Sequence, residues 1–256
     1  MDFYSIYTGL KLLFSIPRWG RRIVYVWNYC VHKPTRVLLL GVSGSGKTQF
    51  LNSFLGVPML EDNRTYVPED KYYIFPNGRK IQFVDLPGHV THKGARQKYI
   101  DEITKNKIAG IINVVNYGYN DAEVNEADVF KTGENEIKNA YLRDNRKNEI
   151  AQLDEWLGRI HAESKPKWVI TIVNKADIWY DKKDEVADYY ENGEYGKAFV
   201  EIKRVVPHFT FLYCSVINPF GGRPMTIIMS ERTKNELQKN FKNTLLRLIN
   251  GDAGRQ

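Results

Sequence analysis

Cysteine is scarce in this chain. Two residues in 256, Cys30 and Cys214, stand far apart with no C-x-x-C and no histidine-rich neighbour. That excludes a disulfide framework or a zinc ribbon and reads as two reduced thiols of a cytosolic chain. Long apolar runs are missing too. "IVYVWNYCV" (23–31) is too short to cross a bilayer. A secretory signal is not expected, because the charges follow the first apolar stretch and no small-residue cleavage site comes after it. Repeats, low-complexity tracts and linkers are absent as well, which leaves one domain (35–256) behind an N-terminal arm (1–34).

Apolar residues make up 43% and charged residues 26%, enough to bury a proper core. The net charge of +7 is unevenly spread: Lys11, Arg18, Arg21, Arg22, Lys33 and Arg36 face only Asp2 within residues 1–36. A basic arm on a nearly neutral domain points to a negatively charged partner surface. Nucleic acid is disfavoured, because these basic residues sit beside apolar ones, and anionic lipid suits them better. In "DFYSIYTGLKLLFSI" (2–16), Phe3, Ile6, Tyr7, Leu10, Leu13 and Phe14 form one helical stripe that Pro17 stops. Residues 2–31 therefore read as an interfacial membrane segment, a docking helix for a partner or second copy, or a helix folded onto its own domain.

From residue 36 strands alternate with helices. Strands are expected at "RVLLL" (36–40), "KYYIF" (71–75), "KIQFV" (80–84), "GIINVV" (110–115), "WVITIV" (168–173) and "FTFLYC" (209–214), with "PNG" (76–78) closing a hairpin. Helices are expected after Gly46 and over 94–107, 134–160 and 230–249. Ile150, Leu153, Leu157 and Ile160 share one face of the long one. Near-continuous apolar strands between amphipathic helices predict an α/β fold: a mostly parallel six-stranded sheet with helices on both faces. Two long stretches, 117–134 and the tyrosine-rich 181–199, read as insertions, either solvated or partner-specific.

"GVSGSGKT" (41–48) follows the first strand and precedes a helix, the context in which backbone N–H groups cradle phosphates. Gly41, Ser43, Gly44, Ser45, Gly46 and Gln49 belong to that cradle. Lys47 supplies a positive charge between the β- and γ-phosphates, and the Thr48 hydroxyl a Mg²⁺ ligand. "NKAD" (174–177) ends another strand. The Asp177 carboxylate can accept both N1–H and the 2-amino group of guanine, a donor pair adenine lacks. Lys175 can lie over the base, and Asn174 can tie this loop to the phosphate loop. In "FVDLPGH" (83–89), Asp85 suits Mg²⁺, Gly88 the γ-phosphate, and His89 the attacking water or merely solvent. Thr65, the one threonine between 49 and 90, suits a switch that reaches Mg²⁺. Its neighbour Arg64 reads more simply as a solvated residue than as an internal arginine finger. Ser215 and Val216 of "CSV" suit a loop whose backbone meets guanine O6. The transporter-ATPase signature L-S-G-G-Q is absent.

In this order the motifs resemble those of the Ras-like small GTPases over about residues 35–250. "DLPGH" and a hydrophobic N-terminus look most like the Arf family and the signal-recognition-particle receptor β subunit. "MDFYSI" lacks the glycine that Arf-type myristoylation needs, and "LNSFLG" looks more like Era- or dynamin-type GTPases. The resemblance implies GTP/GDP and Mg²⁺ as ligands and slow hydrolysis aided by an activating protein. It also implies an effector and a cytoplasmic place, peripheral at the membrane face. A nucleotide-gated assembly subunit is the rival reading, and the oligomeric state is left open.

Overall fold

The protein is described from a computed structural model, which covers residues 17–57, 69–86, 94, 108–120, 126–131, 136–163, 166–200, 206–215 and 229–251. In chain order the described elements are α1 (Pro17–Val31), β1 (Thr35–Leu40), α2 (Lys47–Leu55), β2 (Glu69–Ile74) and β3 (Lys80–Asp85). They continue with β4 (Gly110–Val115), α3 (Glu126–Val129), α4 (Asn139–Glu163), β5 (Trp168–Val173), α5 (Ala176–Trp179) and α6 (Lys183–Glu191). The last are α7 (Glu194–Ala198), β6 (His208–Leu212) and α8 (Glu231–Asn250).

The six strands form one sheet in the order β2-β3-β1-β4-β5-β6. Only β2 and β3 pair antiparallel, closed by the turn at 76–78, where Gly78 N–H donates to Phe75 O. Every other pair is parallel, so the C-terminal ends of β1, β3, β4, β5 and β6 lie along one edge of the sheet. Alternate residues feed two separate cores. Leu38, Ile111, Val115, Val169 and Val173 face one layer, and Val37, Leu39, Ile112, Val114 and Ile170 the other. A sheet buried on both faces explains why these strands read as unbroken apolar runs.

One layer is fastened by aromatic rings. Phe50 and Phe54 of α2 meet Phe241 of α8 edge-on at 5.5 and 5.7 Å, and Phe54 meets Phe83 of β3 at 5.3 Å. Such edge-to-face pairs add about 0.5–1.5 kcal/mol each beyond area burial. They fix the angle at which α2 leaves the loop before it.

The other layer corrects an expectation. Residues 181–199 are not solvated throughout: Val186, Tyr190, Tyr195 and Phe199 are fully buried, while residues 181–185 are exposed. Tyr190 and Tyr195 stack edge-on at 4.7 Å, and Tyr195 meets Phe199 at 5.4 Å. Within 117–134, Tyr117, Tyr119, Val129 and Phe130 are buried as well. Helix α4 begins at residue 139 and not 134, because residues 129–131 pair antiparallel with residues 136–138 just before it. Lys131 N–H donates to Glu136 O and Lys138 N–H to Val129 O. The helix expected over 94–107 lies outside the described residues apart from Gly94.

Helix α1 rests on the β2–β3 turn. Asn28 Nδ2 donates to Asn77 O at 2.7 Å, and Lys80 Nζ stands 4.5 Å from the centre of the Tyr29 ring. Its remaining surface leaves Val26, Trp27 and Val31 more than half exposed. Among the described residues, no helix is long and apolar enough to cross a membrane.

Candidate nucleotide site

The turn after β1 is shaped by glycine. Gly41, Gly44 and Gly46 have φ of 146°, 76° and 82°, in the region side chains avoid. A Cβ on Gly41 would stand 2.2 Å from Val114 O, and one on Gly46 would stand 2.6 Å from Asn174 Nδ2. The backbone can therefore run closely beside β4 and the β5 loop only if these positions lack side chains. Gly46 O accepts the first helical bond, from Phe50 N–H at 2.8 Å, so α2 starts inside the motif and its N-terminus lies at the loop. Lys47 is buried. Its ammonium donates to Gly41 O at 2.9 Å and Val42 O at 3.3 Å, which holds the cation across the loop's mouth. Ser45 Oγ is buried without a hydrogen-bond partner. Buried polar groups are nearly always paired, so a ligand oxygen beside this loop answers an unmet need.

The β5 loop meets the phosphate loop through one side chain. Asn174 Nδ2 lies 3.4 Å from both Ser45 O and Gly46 O, while its Oδ1 accepts from Ser215 N–H at 3.1 Å. Asn174 thus ties three strand ends together. Trp179 Nε1 donates to Asn174 O at 3.1 Å and keeps the β5 loop folded back on itself. Lys175 takes a left-handed turn (φ 59°) and sends its ammonium to Tyr119 O at 2.9 Å.

Asp177 is 3% exposed, and burial raises its carboxyl above the usual range. Its Oδ1 accepts from the Cys214 thiol at 3.3 Å. Burial and the facing carboxylate push that thiol up to about 12, so it stays a donor at neutral pH. The backbone of this capping loop is pinned by Gln238 of α8, whose Nε2 donates to Cys214 O at 2.8 Å and to Ser53 Oγ at 3.1 Å. Ser215 Oγ is buried without a partner.

Asp85 ends β3 fully buried, opposite Leu39 of β1. Thr48 and Gln49 lie half-buried in the first turn of α2, and Ser43 half-buried in the loop. Hence Gly41, Ser43, Gly44, Ser45, Gly46, Lys47, Thr48, Gln49, Asp85, Asn174, Lys175, Asp177 and Ser215 all lie at the C-terminal edge of the sheet. Thr65, Gly88, His89 and Val216 lie outside the described residues. Three residues at this edge escaped the sequence reading, Asn116, Tyr119 and Gln238, and Cys214 was read only as part of "CSV". Asn116 had a weak signal, as the first polar residue after the apolar strand "GIINVV" save its inward Asn113. Tyr119, which acts through its backbone carbonyl, and Gln238, on the last helix, carried none.

Residues 32–150 match the family model described as "Signal recognition particle receptor beta subunit". Over that stretch, a little under half of its length, the chain is similar to that family. The match ends before Asn174, so the base loop rests on its own contacts. No curated protein sequence matches the chain.

Among solved structures, the mammalian SRP receptor is similar at 17% identity and TM-score 0.46, over 70% of this chain and 91% of that one. Arl6 BBS3 small GTPase from Trypanosoma brucei shows 16% identity and TM-score 0.44, over 83% of this chain and 99% of that one. Bacterial selenocysteine-specific elongation factor EF-Sec shows 14% identity and TM-score 0.49 over 86% of this chain, which spans 29% of that factor's length.

Proposed function

We propose that this GTP-binding protein holds Mg²⁺·GTP at the C-terminal edge of its sheet, hydrolyses it slowly, and serves as a switch at a membrane or within a complex. The observation that carries the reading is the Asn174 bridge, which ties the loop that carries the buried Asp177 to a glycine-shaped phosphate loop. The loop N–H groups and Lys47 would neutralise the phosphates. Thr48 and Asp85 would hold Mg²⁺ together with phosphate oxygens, since that ion needs few protein ligands. Among the described residues no cluster of three or more His, Cys, Asp or Glu forms a separate metal cage. Asp177 selects guanine, because an unanswered buried carboxylate would cost adenine nucleotides about 1–3 kcal/mol.

On this reading Thr65 closes on Mg²⁺, Gly88 meets the γ-phosphate, Val216 with Ser215 meets the base, and His89 orients the attacking water. Replacing His89 by Ala is expected to slow single-turnover hydrolysis about tenfold with GTP affinity unchanged. An unchanged rate would favour the reading of a nucleotide-gated assembly subunit, in which hydrolysis is incidental.

The exposed Val26, Trp27 and Val31 of α1 support an anionic membrane as the surface met by residues 2–31. Arg18, Arg21 and Arg22, at the start of that helix, would add roughly 1 kcal/mol each near anionic headgroups. Sedimentation with anionic vesicles should lose most of the bound protein when residues 1–32 are removed. Equal pelleting of both forms would take the arm out of membrane binding and leave a protein partner as its surface.

A further inference from the structure

Glu149 is a carboxylate set in the apolar face of α4, 1% exposed and surrounded by core. It does not touch the phosphate or base loops, yet it is built into the turn between them. Glu149 Oε1 accepts the N–H groups of Asn116 and Gly118, both at 3.1 Å. Its Oε2 accepts from Tyr190 OH at 2.6 Å, and Tyr190 in turn accepts the Tyr117 N–H at 2.8 Å. Three consecutive backbone N–H groups thus converge on one carboxylate–phenol pair. The turn adopts left-handed φ at Tyr117 (59°) and Gly118 (85°) to do so. Such a concave run of N–H groups is an anion-binding nest, here filled by the protein's own carboxylate. A tyrosine rarely accepts that backbone shape, so something must hold it, and the clasp does.

The other side of the same turn faces the nucleotide site. Asn116 Nδ2 donates to Gly44 O of the phosphate loop at 3.1 Å and to Tyr119 O at 2.8 Å, and Tyr119 O also accepts the Lys175 ammonium. Asn145 Nδ2 on Gly118 O and the Tyr141 hydroxyl on Asn120 O add two further ties from α4. We infer that Glu149 is a positioning residue of the nucleotide site: with Tyr190 it sets the 116–118 turn, and through Asn116 and Tyr119 it holds Gly44 and Lys175 where a guanine nucleotide needs them. The tyrosine-rich helices α6 and α7 thereby act as an internal brace for the site. The inference rests on the guanine-nucleotide reading above.

The test is the release rate of ribose-labelled fluorescent GDP from the full chain, read beside the melting temperature. Glu149→Leu removes the acceptor but keeps an apolar core, a replacement that usually leaves stability level or raises it. It should release GDP about tenfold faster without a matching loss of melting temperature, because two N–H groups of the turn lose their partner. Glu149→Gln keeps one oxygen for those N–H groups and should stay within about threefold of wild type. Tyr190→Phe keeps the ring and loses only the hydroxyl, and should speed release by about threefold or more. Phe199→Leu loosens the same helices away from the turn and should lower the melting temperature with release within about twofold.

Wild-type release from both Glu149→Leu and Tyr190→Phe, or release that follows the melting temperature along with Phe199→Leu, overturns the inference. If Glu149→Leu fails to fold, Tyr190→Phe decides alone. Guanine nucleotide that does not bind wild-type protein at all sinks the guanine reading and this inference together, and is distinguishable from the preceding result.

Discussion

Two turns of five to eight residues lie side by side at the edge of the sheet, and they are shaped in opposite ways. The phosphate loop, residues 41–48, is determined locally: three glycines supply the dihedral angles, and its own Lys47 bonds its own carbonyls. The turn at 116–120 has one glycine, a strained tyrosine, and two local bonds, both between Asn116 and Tyr119. Its shape comes from Glu149, Asn145 and Tyr141 on α4 and Tyr190 on α6, residues more than twenty positions away. The comparison teaches where function can be read from a string and where it cannot. A motif is visible when the residues that shape it are the residues that form it.

Breaking the local turn should have the largest effect. Gly41→Ala places a methyl 2.2 Å from Val114 O and 2.9 Å from Ser45 Oγ at a φ of 146°. With strain of about 1–3 kcal/mol from the backbone alone and the clash added, GTP affinity should fall about a hundredfold or more in titration with labelled nucleotide. Affinity within about tenfold of wild type would mean that the loop is shaped by its surroundings, like its neighbour.

The distant turn should show itself through pH. Burial is the first cause that pushes the Glu149 carboxyl up to about 7, against the opposing bonds from Tyr190, Asn116 N–H and Gly118 N–H and the charge of Arg146. Tyr189, Tyr190 and Tyr195 face it as neutral phenols, held above their ordinary range chiefly by burial. Because the folded chain holds this proton more tightly than the unfolded one, the group's contribution is fully present below pH about 4.5. It is lost as pH rises to about 7. A shift of that size corresponds to roughly 3 kcal/mol. Denaturant unfolding at pH 5 and pH 8 should show wild type losing stability relative to Glu149→Gln by an amount of that order. Parallel pH profiles for the two proteins would place the carboxyl in solvent contact instead.

The same contrast explains how much was legible. Strands β1, β4 and β5 were readable as apolar runs that are largely buried, and β2 and β3 by the turn signal between them; the observed ends of all six strands fall within two residues of the expected ones. The glycine loop and "NKAD" were readable because their spacing is their chemistry. The buried side of residues 181–199 was not legible because Asp, Glu and Lys outnumber the few side chains that form it. Val186, Tyr190, Tyr195 and Phe199 carry the burial, and a tyrosine hydroxyl that serves a buried carboxylate leaves no periodic trace. Glu149 was hidden for a related reason. A charged residue next to Ile150 on an otherwise amphipathic helix reads as the edge of the solvent face until its three partners are seen.

Guanine recognition by Asp177 is the claim on which the functional account stands, and base exchange tests it most directly. Asp177→Asn replaces a double acceptor with a side chain that can donate. Titration with labelled GTP and XTP should show GTP affinity falling about tenfold or more while XTP affinity rises, since the 2-oxo group of xanthine suits an amide donor. Unchanged GTP affinity, with no gain for XTP, would contradict the account and remove "NKAD" from the base site.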